Sequence, residues 1–286
     1  MKTFFINNQN RQSLLNLMNK SVVALGFFDG VHLGHQKVIK TAVTLAKQKN
    51  SQPAVMTFTP HPKEVINKEK VNYLTTLETK KEIFENQGVE VLYLISFDAD
   101  FAALSPREFA QSYLIDFQIE HVVAGYDFTY GLRGEGNMHT IVSDGDGQYK
   151  ATKINKVLFQ KEKISSTRIR TIIQDGNVDV LPNLLGDFYR TNGIIRAKEL
   201  LKNETIVYEI EINEQCLLPI QGTYEVMIQT EEKTFQATIH RYCTKENVVY
   251  MTPSNPQLII KENQTIKIKW VKCRSIKRKA ASTAVI

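Results

Sequence analysis

The run Val22-Val23-Ala24-Leu25-Gly26-Phe27-Phe28-Asp29-Gly30-Val31-His32-Leu33-Gly34-His35 passes from unbroken apolar sequence into a glycine-rich turn, and helical periodicity follows it from 35 to 48. An apolar run without alternation reads as a strand buried on both faces. The pattern recurs. VVALGFF at 22–28, AVMTF at 54–58, VLYLISF at 91–97 and HVVAG at 121–125 are the expected strands, with helices at 35–48, 76–87 and 105–116 between them. Strands of this kind alternating with helices predict a doubly wound α/β domain, a parallel sheet covered on both sides. The third helix opens Ser105-Pro106-Arg107-Glu108, an N-cap serine, a proline at the first helical position and a glutamate three residues after the cap. That is punctuation, and it carries no functional role.

The 286 residues make roughly two domains' worth of chain. At 42% apolar and 23% charged the composition is that of a globular protein, not of a disordered or fibrous one. No window approaches the ~18 consecutive apolar residues of a spanning helix, and the start turns polar at Asn7, too soon for a signal peptide. A cytoplasmic location without a membrane partner is therefore expected. Cys216, Cys243 and Cys273 lie far apart without C-x-x-C spacing and read as ordinary thiols.

The formal charge is +6, but seven cations lie between Lys267 and Lys279 with no acid among them, so the rest of the molecule is nearly neutral. Such a tail can attract phosphate or anionic lipid. Ile266, Ile268 and Trp270 alternate with Lys267 and Lys269, however, which reads as an edge strand whose lysines discourage pairing. The tail is taken as solubilising, and no nucleic-acid partner is expected.

After Gly193 the pattern becomes strands, at 205–212, 223–228, 234–242, 247–252 and 265–272, separated by turn signals at Pro219, Gly222 and Ser254-Asn255-Pro256. Short strands at this spacing predict a small antiparallel barrel. The expected domains are residues 1–186 and 187–286.

In an open parallel sheet, ligands bind beyond the carboxyl ends of the strands, where the next helix offers free N–H groups and a positive dipole end. Phosphate is the expected guest of the turn after residue 25. Gly26, Gly30 and Gly34 allow the backbone to approach a bulky anion. His32 and His35, three apart, face the same way on a helical turn and can donate hydrogen bonds to charge on a transferring phosphoryl group. A metal-ligand pair is the other use of that spacing, with no third ligand close in sequence. Pro60-His61-Pro62 forms a stiff loop just past a strand end. Lys163-Ile164-Ser165-Ser166-Thr167-Arg168-Ile169-Arg170 combines cations with three hydroxyls at a helix start. Ser165 or Ser166 can cap that helix, and Arg168 can fork onto phosphate oxygens.

The H-x-G-H at His32 to His35 resembles the signature of the nucleotidyltransferase superfamily, and GFFDGVHLGH at 26–35 is similar to the form found in prokaryotic FAD synthetases. TFTPHP at 57–62, FDADFAALSPREF at 97–109, GYDFTYG at 125–131 and the segment from Lys163 to Arg170 agree in order, so the resemblance covers about residues 1–195. It implies a Rossmann-like nucleotidyltransferase domain and ATP:FMN adenylyl transfer, with ATP and FMN as substrates, Mg2+ as companion ion and FAD as product. His32, His35, Ser166 and Arg168 are then the expected catalytic residues. Gly26, Phe27, Asp29, Gly30, Gly34, Lys163, Ser165 and Thr167 would hold ATP phosphates. Pro60, His61 and Asp127 would line the flavin, the loop at His61 serving either as contact or as stiff connector, and the protein is expected to supply no metal ligand. The resemblance leaves the oligomeric state open.

Most such synthetases carry a C-terminal riboflavin kinase with the signature G-F-P-T-A-N. Here Gly193 is followed by Ile194-Ile195-Arg196-Ala197-Lys198, and P-T-A-N occurs nowhere; only LLPIQGTY at 217–224 still resembles the kinase. A degenerate kinase barrel without kinase activity is expected, the alternatives being a bifunctional enzyme or an inactive flavin-binding regulator.

Overall fold

The computed structural model describes residues 1–201, 205–242 and 247–276; Cys243 and the tail cations Lys277, Arg278 and Lys279 lie outside the described residues. The chain forms two units, one of residues 1–71 with 77–164, the other of 72–76 with 165 onward. The division falls between Ile164 and Ser165, well before the change of sequence pattern near 187.

In the first unit, strands β1 (Lys2–Ile6), β2 (Ser21–Leu25), β3 (Gln52–Thr59), β4 (Val91–Ser96), β5 (Ile119–Gly125) and β6 (Lys150–Ile154) form one sheet in the order β1-β4-β3-β2-β5-β6. Every pairing is parallel. Along β2, Val22 and Ala24 face one core with Val38, Ile39, Ala42 and Ala46 of helix α1 (Leu33–Lys49) and Phe84 of helix α2 (Leu77–Asn86). Val23 and Leu25 face the opposite core with Phe109, Tyr113 and Phe117. Burial on both faces is what an apolar run without alternation encodes. The helix capped by Ser105 is present with its reciprocal capping box, but after Phe109 it loosens into a π-helix over Ala110–Ile115.

Two strands, β1 and β6, were not legible in the sequence. Both are sheet edges, and β6 buries only Ile154 of its five residues. An edge covered on one side needs no continuous apolar run. Strand β2 stops at Leu25, three residues short of the expected end, because Phe28 takes a left-handed φ of 55°.

The second unit is a closed barrel of β7 (Tyr189–Leu200), β8 (Ile206–Ile212), β9 (Gly222–Gln229), β10 (Thr234–Arg241), β11 (Val248–Pro253) and β12 (Thr265–Ile276), in the order β7-β8-β11-β10-β9-β12. Helix α3 (Ser166–Gln174) precedes it. The reading of β12 as an edge strand is corrected: it pairs with β7 on one side and β9 on the other. Its alternating lysines mark the outer face of a closed sheet, while Ile266, Ile268 and Trp270 are buried inside. Trp270 donates from Nε1 to Thr191 Oγ1 at 3.0 Å and meets the Tyr224 ring edge-on at 5.3 Å. The segment 72–76 joins this unit as a strap, with Tyr73 N–H donating to the Gln215 carbonyl and Leu217 N–H to the Tyr73 carbonyl.

Strand β7 also escaped the sequence reading. Its inward positions are Tyr189, Thr191, Gly193 and Ile195, and only two of these are apolar side chains. Gly193 is required by packing: a Cβ there would lie 2.6 Å from Ile210 Cγ2 and 2.8 Å from Ile212 Cδ1, both on the neighbouring strand. Gly193→Ala is therefore expected to overpack the barrel and lower stability by about 1–3 kcal/mol in urea unfolding. An unchanged midpoint would show that the two isoleucines yield freely.

Candidate active site

The strand order reverses at β2, since β3 and β4 extend to one side and β5 and β6 to the other. The loops after β2 and β5 thus open at the carboxyl edge where the sheet switches direction, the place where open α/β sheets bind ligands. The loop after β3 adjoins them.

Between Leu25 and Leu33 the chain turns from strand to helix through Phe28 at φ 55°, Gly30 at 80° and Val31 at 38°. Left-handed backbone is natural for Gly30 but strained for Phe28 and for the β-branched Val31. Anchors hold the turn. Gly26 N–H donates to the Met56 carbonyl at 3.2 Å, and the Phe27 carbonyl accepts from Thr57 Oγ1 at 2.9 Å and from Lys80 Nζ at 3.1 Å. The Phe28 ring is buried against the rings of His35 and Phe84, and Asp29 is buried.

His32 caps α1: its Nδ1 accepts the His35 N–H at 3.1 Å. This fixes the neutral ring with its proton on Nε2. The two imidazoles stack, centroids 3.6 Å apart and planes within 15°. Gly34 leaves the stack uncrowded: a Cβ there would lie 3.0 Å from His32 Cε1, and the ring would have to give by a few tenths of an ångström. The glycine read as room for an anion is thus also room for a histidine. Burial lowers the His32 pKa to about 4, and the charge of Lys163 acts in the same direction. Burial, then the His32 and Lys80 neighbours, hold His35 well below the ordinary value. Its Nδ1 is buried without a hydrogen-bond partner among the described residues. Both rings are neutral at pH 7. Leu33 and Gly34 have no intrahelical acceptor for their N–H groups, so the helix end presents two imidazoles and free amides.

The loop after β3 contains a cis Thr59–Pro60 bond. His61 caps the short helix Pro62–Ile66 through its Nδ1 and sets its ring edge-on to Phe27 at 4.4 Å. After β5, exposed Asp127 pairs with Lys163 at 2.5 Å, and Lys163 Nζ lies 5.0 Å above the Tyr126 ring. Partial burial opposes the Lys163 charge, but the hydrogen bonds to Asp127 and Tyr126 prevail and raise its pKa. Tyr130 is buried and Phe128 packs beside it, as aromatics of the core.

The first unit accordingly contains Gly26, Phe27, Asp29, Gly30, His32, Gly34, His35, Pro60, His61, Asp127 and Lys163. Ser165, Ser166, Thr167 and Arg168 belong to the second unit, where Ser165 caps α3 by accepting the Arg168 N–H at 3.3 Å. Arg170 of the same helix bonds the Asn72 carbonyl of the strap. Of the residues that hold the turn, Thr57 lies in the 57–62 segment quoted from the sequence but was given no role there, and Lys80 escaped the sequence reading. The signal for Lys80 was present: it lies four residues before Phe84, on the apolar face of α2.

Residues 15–168 match the family model described as FAD synthetase. The chain is 41% identical over 239 residues to the bifunctional riboflavin kinase/FMN adenylyltransferase of Listeria monocytogenes, covering 82% of this chain and 76% of the relative. It is 39% identical over 266 residues to the Bacillus subtilis protein of the same name, covering 88% and 84%. A solved structure from Streptococcus pneumoniae, named a macrolide-efflux protein, superposes with a TM-score of 0.86 at 25% identity, covering 99% of this chain and 94% of that one. No helix among the described residues is long and apolar enough to cross a membrane.

The histidine burial has a consequence in acid. The unfolded chain binds a proton at His32 near pH 6.5, whereas the folded chain resists until about pH 4. The contribution is therefore whole above 6.5 and is lost as the pH falls toward 4. The loss at His32 is on the order of 3 kcal/mol, taking 1.36 kcal/mol per pKa unit. His32→Asn, which keeps a capping oxygen, is expected to shrink the drop in urea stability between pH 7 and 4. An equal drop in both proteins would place the acid sensitivity elsewhere.

Proposed function

The chain belongs to the FAD synthetase family, and on that premise we propose that it transfers AMP from ATP to FMN, giving FAD and pyrophosphate, and that it does not phosphorylate riboflavin. The observation that carries the transfer is the stacked pair His32–His35 on the N-terminus of α1 at the carboxyl edge of the sheet.

A phosphate oxygen of FMN bonds to the α-phosphorus of ATP while the bond from that phosphorus to the bridging oxygen breaks, and pyrophosphate leaves with the electron pair. The nucleophile is already an anion, so no base and no covalent enzyme intermediate is needed, and the work is positioning and charge stabilisation. His32, held neutral by burial with its proton on Nε2, donates to the transferring phosphate. His35 serves the leaving phosphates from a ring whose Nδ1 has no hydrogen-bond partner among the described residues. Free amides at Leu33 and Gly34 add donors that need no rearrangement during the reaction. Lys163, Ser165, Ser166, Thr167 and Arg168 act as a second phosphate clamp, with Asp29, Gly26, Phe27 and Gly30 shaping the first. Pro60, His61 and Asp127 border the flavin side.

Among the described residues no three acidic, histidine or cysteine side chains cluster as a metal cage, and Asp127 is engaged by Lys163. That donor set suits a magnesium ion carried on the phosphates of ATP, its usual seat in such sites. When bound there, it would neutralise charge on the departing pyrophosphate.

The absence of kinase activity is supported by the first barrel hairpin. β7 and β8 are paired from Gly193 with Ile212 as far as Leu200 with Ile206, so the residues that follow Gly193, where the kinase signature would stand, form a strand. The second reading, a bifunctional enzyme, draws on the Listeria and Bacillus relatives, whose names include riboflavin kinase.

With ATP, magnesium and FMN, chromatography is expected to show FAD and pyrophosphate; with riboflavin in place of FMN, neither FMN nor FAD. Bound FMN without turnover would support a flavin-binding regulator, and enzyme-dependent FMN from riboflavin the bifunctional reading. His32→Ala or His35→Ala is expected to lower turnover by ~10²–10³ in a protein that remains folded. FAD formation near wild type in the double variant would remove both histidines from the mechanism.

A further inference from the structure

Lys80 is the buried lysine among the described residues, with 4% of its surface exposed. Burying an ammonium is costly unless it is well partnered. A methionine would fill the same slot without that cost, so packing alone does not account for the charge. Its partners all belong to one segment. Nζ donates to the Phe27 carbonyl and lies 4.3 Å over the Phe27 ring, and the Asp29 carboxylate supplies the nearby negative charge. The other edge of that ring arrangement is His61, 4.4 Å from Phe27.

This contact falls beside strained backbone. Phe27 immediately precedes the left-handed residues Phe28, Gly30 and Val31, and such conformations persist only where the surroundings over-determine them. Thr57 of β3 and Lys80 of α2 grip the same carbonyl from two different elements. What lies downstream of that grip is His32.

We propose that Lys80 is a positioning residue for adenylyl transfer: its ammonium, seated on the carbonyl and ring of Phe27 beside Asp29, sets the loop that aims His32 and His35 at the transferring phosphate. The proposal rests on the FAD-forming reading above. Lys80 acts through the loop and is assigned no contact with substrate.

The test compares the full-length wild type, Lys80→Met and Lys80→Arg in FAD formation, with circular dichroism and thermal melting on each. Failure of the wild type to make FAD would defeat the functional reading and not this one. Given an active wild type, a folded Lys80→Met is expected to lose about 100-fold in kcat, the effect of a small misplacement of reacting groups, with the KM for FMN little changed. A Lys80→Met protein with kcat and KM of the wild type, however low its melting temperature, would make Lys80 a core residue only and overturn the proposal. If Lys80→Met does not fold, the pH profile of the wild type decides. Burial brings the Lys80 pKa down to about 8, partly opposed by Asp29, and His35 faces it as a neutral ring. The wild-type kcat is then expected to fall through an alkaline limb near pH 8, and Lys80→Arg, whose charge persists, to move that limb upward. A wild-type kcat that stays flat through pH 8 and above would overturn the proposal.

Discussion

A chain that leaves a buried parallel strand and must start a helix on the face of the same sheet has little length in which to reverse. Here the reversal takes the residues between Leu25 and Leu33, and it forces left-handed backbone on Phe28 and Val31. Each such residue costs on the order of 1–3 kcal/mol. Burying the Phe28 side chain returns about 1.5–3 kcal/mol, which offsets part of the strain of two such residues. Hydrogen bonds from Thr57 and Lys80 to one carbonyl settle the balance. The direction of α1, the cap made by His32 and the stack with His35 all follow from that turn.

Much of the first unit was legible because two-sided burial leaves an unmistakable trace. Val22 to Leu25 and Val91 to Ile95 contain nothing polar except Tyr93, and they are central strands. The edges β1 and β6 left no such trace, because one covered side can be satisfied by two or three apolar residues. The histidine pair was readable from spacing, but the reason for Gly34 was not: it concerns the volume of a neighbouring ring, which no pattern of residue types records. Lys80 was hidden differently. A lysine in a helix reads as surface by default, and only its register with Phe84 pointed inward.

In the barrel, the alternation that marks a strand's inner face carries no mark of its position in the sheet. Lysines on every second residue of β12 do face solvent, yet the strand has partners on both sides. Alternation reports which side of a sheet is wet, and it is silent on whether the sheet closes. The closed framework is present without the kinase signature after Gly193, which fits the general separation of fold from site.

The strap at 72–76 bears on the order in which the polypeptide is made. The ribosome releases Tyr73 while Gln215 and Leu217, its backbone partners, have yet to be translated. Domains tend to fold as they emerge, the N-terminal one first. The nascent α/β unit therefore settles its parallel sheet before the barrel partners of Tyr73 exist, and the barrel, arriving last, supplies them. A fragment that stops at Ile164 would carry the strap without Gln215 and Leu217, so the two units are interleaved in the chain, and neither is inherited by a single cut of the gene.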